Sequence, residues 1–590
     1  MKRIKPFTAL CLTGLLAVSL SSLAFAQESA SPAILSIHPI GIIDADGAKL
    51  SAIAVEYAEE VDASYVSLET YEIENYSLLT QDIQTGDSLG TELGVATRVY
   101  VNDVPEQAEE GKDTGKYVVI EVNTDYLMNS VAPQYEAAMA AGVKQISPIK
   151  AADGSEIPAT DFVRNYEEVI SVNQTPNGPV EVKSFVLTDK DYVIPAISGY
   201  QLFTKEDGTA FHAEHVFESA TGEYVDVDIP YALFVPADYD ASQRYALVIH
   251  IHDAGFMGND PMITLTEGQG PANYASDEIQ QLAKDQGLGG IIVVCPQFED
   301  AIRTARDNWT LSCGAPATWQ LLDYLTEAYS IDENRIYATG QSMGGMQLMA
   351  MASHRDNYFA GLWLIGMQWG NNYNLEEPYK GNVYYVSDDP TIWRTDDDGN
   401  DSDLGRNWYY LLSDDNVLFT SCLGDGFGEI VWGEMNHLYE DIAGVTIPRA
   451  AFSPINLTVD EQNEALEDLL AVDSGRINYH WSSFDGGSHM LTWVYGHRLR
   501  SGYEWLLSQT RESEHEREKL AELNRPWTAE TDEGKIAEKQ TEDRKVGTLD
   551  GEDVYLAVPA EGAGTIGYNS AIYDRGGAII LKAPGWVPAE

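Results

Sequence analysis

The sequence predicts a doubly wound, mostly parallel α/β sheet preceded by a small all-β sandwich. Two patterns predict it: short period-2 strands up to about residue 179, then near-continuous apolar runs alternating with helical segments from residue 245 onward. A third observation sets the number of units, because 590 residues exceed what one core supports and typical domain sizes favour roughly two to four. At 44% apolar and 10% aromatic residues, the chain carries ample side chains to fill such cores.

At the N-terminus, Lys2, Arg3 and Lys5 precede an apolar run from Leu10 to Phe25, which ends in Ala24-Phe25-Ala26 ahead of Gln27. That layout is expected of a secretory signal peptide cut after Ala26, giving a signal segment at 1–26 and a secreted chain, extracellular or periplasmic. Cys11 lies inside the apolar stretch and no cysteine follows Ala26, which argues against a lipoprotein signal. No later run approaches the ~20 apolar residues of a membrane span. Loss of the three basic residues takes the formal charge from −57 to −60. Such a field repels phosphate backbones and anionic lipid, so nucleic acid and membrane surfaces are not expected partners.

Residues 33–179 read as an immunoglobulin-like β-sandwich. Its candidate strands are Ser51-Ala-Ile-Ala-Val-Glu-Tyr57, Tyr65-Val-Ser-Leu-Glu-Thr-Tyr71, Arg98-Val-Tyr-Val101 and Tyr117-Val-Val-Ile-Glu-Val122, broken by Gly, Asp and Asn turns. The segment Gln174-Thr-Pro-Asn-Gly-Pro179 reads as a linker. Residues 180–510 form the second unit. Antiparallel strands are expected at 180–187 and 224–236, whereas Tyr245-Ala-Leu-Val-Ile-His-Ile251 suits a strand buried on both faces of a parallel sheet. A helix at 272–285, a strand at 290–295, a helix at 317–329 and a strand at 335–339 follow. Further strands are expected at 361–366, 383–386, 417–421 and 477–481, and a last helix at 491–509. Residues 511–590 form a C-terminal extension, charged to 545 and Gly-rich after it. Cys295, Cys313 and Cys422 permit at most one disulfide, with Cys295 and Cys313 the nearest pair in sequence.

The chemistry-bearing motif is Gly340-Gln341-Ser342-Met343-Gly344-Gly345, after a strand and before a helix. Small residues around Ser342 let the chain turn sharply enough to expose the hydroxyl at the sheet's carboxyl edge, as a nucleophile elbow requires. Composition alone would produce such a pentapeptide about 0.2 times in a chain this Gly-rich, so the strand-turn-helix setting carries the weight. A serine hydroxyl needs a base within reach, and His489 in Gly486-Gly487-Ser488-His489-Met490 follows a strand and precedes the last helix. The acid belongs between them. Asp425 in Cys422-Leu423-Gly424-Asp425-Gly426 fits, since a helix-like stretch at 430–442 follows; Asp388 or Asp389 after the strand at 383 is the alternative. For the oxyanion hole, Met343 supplies one backbone N–H and Ala254, in His252-Asp253-Ala254-Gly255, the other. His250 and His252 have the i, i+2 spacing of a strand-borne metal pair but lack a third ligand nearby; His212 and His215 are discounted likewise, and no metal or cofactor is expected. Trp369 is equally readable as acyl-pocket wall or as packing.

On these residues, 180–509 resembles the secreted α/β-hydrolase esterases often labelled predicted peptidases, related to polyhydroxybutyrate depolymerases and feruloyl esterases. The resemblance rests on Tyr231-Ala-Leu-Phe-Val-Pro-Ala-Asp-Tyr239, the loop 252–260, Ile331-Asp-Glu-Asn-Arg-Ile-Tyr337 running into 340–345, and Ser488-His489 with Thr492-Trp493. It implies a triad of Ser342, His489 and an aspartate acting on ester substrates, small or polymeric, with an immunoglobulin-like domain in front. Two departures stand out. The family loop reads His-Gly-Ala-Gly where this chain has Asp253, and residues 390–416 look inserted between the two candidate acid strands. A serine peptidase of the same fold and a silent extracellular binding protein are the competing readings, and the oligomeric state is not encoded in any motif.

Overall fold

The computed structural model describes residues 33–75, 94–125, 135–175, 178–218, 223–299, 312–354, 358–367, 415–426, 428, 431–432, 447–474, 478–511, 541–549, 552–559 and 586–588. The expected signal peptide, the strand at 383–386 with Asp388 and Asp389, Trp369, and most of the helix expected at 430–442 lie outside the described residues.

Strands β1 (Ile34–Asp44), β2 (Gly47–Asp62), β4 (Ala96–Asn102) and β5 (Thr114–Val122) form an antiparallel sheet in the order β1-β2-β5-β4; β3 (Tyr71–Asn75), β6 (Ala141–Gln145) and β9 (Val163–Arg164) form its partner. The period-2 pattern explains why they stack. Ile53 and Val55 enter the core between the sheets with Val118 and Ile120, while Ala52, Ala54 and Val119 pack on the other face. Each such aliphatic side chain contributes roughly 1.5–3 kcal/mol on burial. The small β7 (Ile149–Lys150) and β8 (Glu156–Ile157) ribbon adjoins the end of β2 through a bridge between Val61 and Ala151. One expected strand is absent: 65–70 folds as two 3-10 turns, because Asp62 accepts the Ser64 N–H and Ser67 and Thr70 form a reciprocal capping box. These local side-chain bonds compete with the ladder and win there.

The expected linker at 174–179 instead carries on a long antiparallel pairing of β10 (Tyr166–Thr175) with β11 (Gly178–Leu187), in register up to Thr175 opposite Gly178. Beyond it lies a nine-stranded sheet. Its order is β12 (Tyr200–Phe203), β15 (Tyr231–Phe234), β17 (Ile291–Pro296), β16 (Tyr245–Ile251), β18 (Ile331–Gln341), β19 (Gly361–Ile365), β20 (Asn416–Cys422), β22 (Asn478–Phe484) and β21 (Arg449–Phe452). Only the β12–β15 and β15–β17 pairings are antiparallel. A ribbon, β13 (Phe211–Glu218) with β14 (Glu223–Ile229), flanks it, and β23 (Thr541–Leu549), β24 (Glu552–Pro559) and β25 (Trp586–Pro588) make a separate small sheet.

The apolar run in β16 is continuous because both faces are covered. Leu247, Ile249 and Ile251 meet α5 (Gly314–Ala328) and α6 (Met343–His354), while Ala246 and Val248 join the opposite core with α3 (Gln269–Ala275), α4 (Asp277–Asp285), α7 (Val459–Leu470), α8 (Leu491–Gly496) and α9 (Arg500–Ser508). The helix expected at 272–285 is two, broken where Ser276 caps α4 through the Ile279 N–H. The helix expected at 491–509 is likewise two, broken where the His497 carbonyl accepts the Asn273 side chain. The Cys295–Cys313 disulfide does not form: Cys295 faces one core and Cys313 the other, and all three described cysteines are free and buried.

The sandwich is not detached from the sheet. Ile43, Ala45 and Ala48 at the β1–β2 hairpin tip, and Ala138 to Ala140 after α1 (Tyr135–Ala138), share a core with Leu265, Leu491 and Trp493. Lys49, fully buried behind the tip, pairs with Asp44 and Asp46.

Candidate active site

Ser342 sits between β18 and α6 with φ of 49°, left-handed backbone that a non-glycine residue adopts only under constraint. The constraint is visible. Its N–H donates to Ile365 O of β19 at 2.8 Å, and a Cβ at Gly344 would lie 2.2 Å from Ile251 O, so α6 starts hard against the end of β16. A Cβ at Gly340 would meet Gly344 C at 2.7 Å. The sequence thus turns sharply because only glycine fits on both sides of the serine.

His489 stands in the loop after β22, shaped by Gly486 and Gly487 at φ of 71° and 80°. Its Nε2 lies 2.8 Å from Ser342 Oγ and its Nδ1 2.6 Å from Asp425 Oδ2. The carboxylate accepts, so Nδ1 carries the proton and Nε2 is left to accept from the serine hydroxyl. Asp425 follows β20, its loop tied to the His489 loop by Leu423 N to Phe484 O at 2.8 Å and Gly424 N to Gly486 O at 3.3 Å. Asp425 is fully buried, His489 is 2% exposed and Ser342 5%. Trp493 of α8 stands edge-on to the imidazole at 5.3 Å, and Gly366, with φ of 60°, leaves room for both rings. The three residues singled out by motif therefore converge on one point, from positions 64 and 147 apart in the chain.

The two N–H groups expected to face a developing oxyanion each open a helical turn: Met343 opens α6 and Ala254 opens the 3-10 turn 254–256. Neither position has an acceptor within its own turn. The loop carrying Ala254 is braced on three sides. His252 donates from Nδ1 to Asp253 O at 2.7 Å and accepts at Nε2 from Phe298 N at 3.0 Å, which fixes one neutral tautomer; burial holds its pKa down to about 4. Asp253 accepts the Gly255 N–H through Oδ1, and its own N–H reaches Glu267 Oε2 at 3.4 Å. Glu267 Oε1 lies 3.0 Å from His250 Nε2, both side chains being fully buried; burial pushes the acid well up and the imidazole well down. The expected i, i+2 histidine pair is thus bracing, not ligation. Among the described residues no cluster of three His, Cys, Asp or Glu could hold a metal, and His212 pairs with Asp228 while His215 stacks on Tyr224.

Behind the elbow a second relay locks Gln341. Asn273 Nδ2 donates to Tyr503 Oη at 3.0 Å, Tyr503 faces His497 Nδ1 at 3.1 Å, and His497 Nε2 faces Gln341 Oε1 at 3.1 Å. Sequence reasoning missed Glu267, His497 and Gln341 as supporting residues. An acid at 267 inside the apolar setting of α2 (Met262–Thr266) and α3 was a usable signal; His497 offered none.

A strand-turn-helix serine, a histidine and an aspartate at the carboxyl edges of three strands of a mostly parallel sheet define an α/β-hydrolase fold behind an immunoglobulin-like domain. Residues 39–162 match the family model of the esterase Ig-like N-terminal domain. Among solved structures the chain is similar to a thermostable esterase, at 18% identity over 81% of this chain and 100% of that one, with a TM-score of 0.48. It is also similar to a ferulic acid esterase (14%, over 52% and 96% of the two chains, TM-score 0.29) and to a poly(3-hydroxybutyrate) depolymerase of Bordetella parapertussis (13%, over 50% and 88%, TM-score 0.26). No curated protein matches the sequence.

Proposed function

We propose that the chain is a secreted serine hydrolase that cleaves carboxylic esters through an acyl-enzyme. The observation that supports this most is the unbroken hydrogen-bonded chain from Ser342 Oγ through His489 to Asp425 Oδ2. In this reading Ser342 Oγ attacks the ester carbonyl carbon while His489 Nε2 takes its proton. Asp425 holds the imidazole and stabilises the imidazolium. The carbonyl oxygen, now anionic, receives the Met343 and Ala254 N–H groups; one such donor is worth about 3–4 kcal/mol in the transition state. As the C–O bond to the alcohol breaks, His489 returns the proton to the leaving oxygen, and water then repeats the sequence to free the acid. Export rests on the N-terminal run ending at Ala26.

The test is a panel of acyl nitrophenyl esters alongside peptide anilides, with wild type and Ser342→Ala. Hydrolysis of the esters, falling roughly 10⁶-fold in kcat with Ser342→Ala, is expected. Cleavage of anilides in preference would favour the peptidase reading. Turnover retained in Ser342→Ala would end both.

A further inference from the structure

Glu267 takes no part in the reaction above, yet its side chain is fully buried between α2 and α3 with both oxygens engaged: Oε1 lies 3.0 Å from His250 Nε2, and Oε2 accepts the Asp253 N–H at 3.4 Å. Burying a carboxyl group costs free energy that an apolar residue of the same size would not, and its two contacts end on β16 and on the loop that carries Ala254. Bonds inside that loop make it move as a unit. Asp253 O accepts from His252 Nδ1 at 2.7 Å and from Phe256 N at 3.3 Å, and the Ala254 N–H, on the same planar trans peptide, points the opposite way. Where the unit stands is set from outside it. Phe298 N donates to His252 Nε2 at 3.0 Å and Gln297 Nε2 to Phe256 O at 2.8 Å, while among the described residues Glu267 is the hydrogen-bond partner that reaches Asp253 from beyond the loop. The peptide plane 252–253 is therefore held at both edges. Its N–H goes to Glu267, and its carbonyl, His252 O, lies against α6, where a Cβ at Gly344 would come within 2.9 Å of it. Gly344 directly follows Met343, the other candidate oxyanion donor.

We propose that Glu267 is a positioning residue for the oxyanion hole: by accepting the Asp253 N–H it holds the peptide plane 252–253 against the first turn of α6, and so sets the spacing between the Ala254 and Met343 N–H groups. This assignment rests on the ester-hydrolase reading, and Glu267 acts through Asp253 without touching the substrate. Its effect falls on the tetrahedral state, whose oxygen is charged, and not on the bound ester, whose carbonyl is neutral. The backbone beside Glu267 is clamped in turn by the sandwich, since a Cβ at Gly47 would lie 3.3 Å from Thr266 O and one at Gly268 3.1 Å from Ala45 O.

The experiment measures kcat/KM on the best nitrophenyl ester of the panel, and inhibition by the trifluoromethyl ketone and the methyl ketone of the same acyl chain, in wild type, Glu267→Leu, Glu267→Asp and Glu267→Gln, each checked for folding by circular dichroism. Ser342 Oγ adds to the activated carbonyl of the trifluoromethyl ketone as His489 takes its proton; no group leaves, and the anionic oxygen of the adduct occupies the hole. The methyl ketone stays a carbonyl and reports ground-state binding. Glu267→Leu removes the acceptor and Glu267→Asp withdraws it by one methylene. Both are expected to lower kcat/KM and to weaken the trifluoromethyl ketone by the same factor, about 10- to 100-fold, with the methyl ketone unmoved. Glutamine offers a carbonyl oxygen to Asp253 and an amide to His250, so Glu267→Gln is expected to recover most of that loss. Glu267→Asp carries the comparison if Glu267→Leu does not fold. An unmoved kcat/KM, a fall in kcat/KM with the trifluoromethyl ketone unmoved, equal weakening of both ketones, or no recovery with glutamine would overturn the assignment and leave Glu267 as a structural brace. If wild type neither hydrolyses the esters nor binds the trifluoromethyl ketone, the proposed function itself fails and this inference fails with it.

Discussion

Ser342 holds its left-handed conformation only because its neighbours are small, and the space around Gly344 shows how little tolerance there is. Gly344→Ala places a methyl group against the Ile251 carbonyl, and backbone cannot yield as a side-chain end would. The expected result is a loss of about 1–3 kcal/mol in urea unfolding, together with a fall in kcat as the elbow shifts. Asp425→Asn is expected to leave the fold intact and lower kcat by roughly 10⁴, because an amide no longer selects the Nδ1–H tautomer; circular dichroism with steady-state kinetics separates the two effects. Ser342, His489 and Asp425 were legible in the sequence because each lies in a short loop whose type follows from the strand before it. The Asp425 loop is tied by backbone bonds to the His489 loop, a fact no local pattern carries; Asp388 and Asp389 lie outside the described residues. Glu267 and His497 act through partners 17 and 156 positions away, at His250 and Gln341, and spacing encodes neither contact.

Among the elements, the β1–β2 hairpin couples the sandwich to the segment at residues 266–268, which borders Trp493. Gly47 has φ of 122°, and a Cβ there would lie 3.3 Å from Thr266 O, while a Cβ at Gly268 would meet Ala45 O at 3.1 Å. Gly47→Ala is expected to cost about 1–3 kcal/mol through strain. Because Gly268 also borders Trp493, which packs on His489, kcat/KM should fall as well; stability lost with kinetics unchanged would show that the hairpin tip supports the fold without shaping the site. Alternating apolar residues made β2, β4 and β5 readable. They misread 65–70, where side-chain caps decide, and 174–179, where Gln174 and Thr175 pair with Pro179 and Gly178.

At the scale of the whole molecule two properties set the conditions under which it is stable. The formal charge of −57 favours expansion, so Tm should rise from low to molar salt; a flat profile would mean that the acidic residues are already neutralised in the fold. Acid acts through buried groups. His252 and His497, held at about 4 and about 3, and His250, held well down, are neutral when folded and gain protons on unfolding below their ordinary range near pH 6.5. Each withdraws about 1.4 kcal/mol per pH unit there. Asp253, Glu267 and Asp485, all pushed upward by burial, act in the opposite sense, but Asp485 is only partly buried, so the three wholly buried imidazoles outweigh them. Unfolding midpoints in urea should therefore drop as pH falls from about 6.5 towards 4.5. The shared core of hairpin tip, α1 segment and α8 also predicts that sandwich and large sheet melt together in calorimetry, and two separated transitions would contradict it. The layered plan was legible because apolar runs buried on both faces differ from alternating ones; the joint between the layers was not, since it depends on the approach of residues 45–47 to residues 266–268.

The most direct measurement is reaction with a fluorophosphonate, read by peptide mass analysis on folded wild type and on His489→Ala. A single adduct on Ser342 in wild type, with labelling at least a hundredfold slower once the imidazole is removed, is the expected result. An unlabelled Ser342, or labelling equally fast in both proteins, would mean that the serine and histidine 2.8 Å apart do not form a nucleophile and its base.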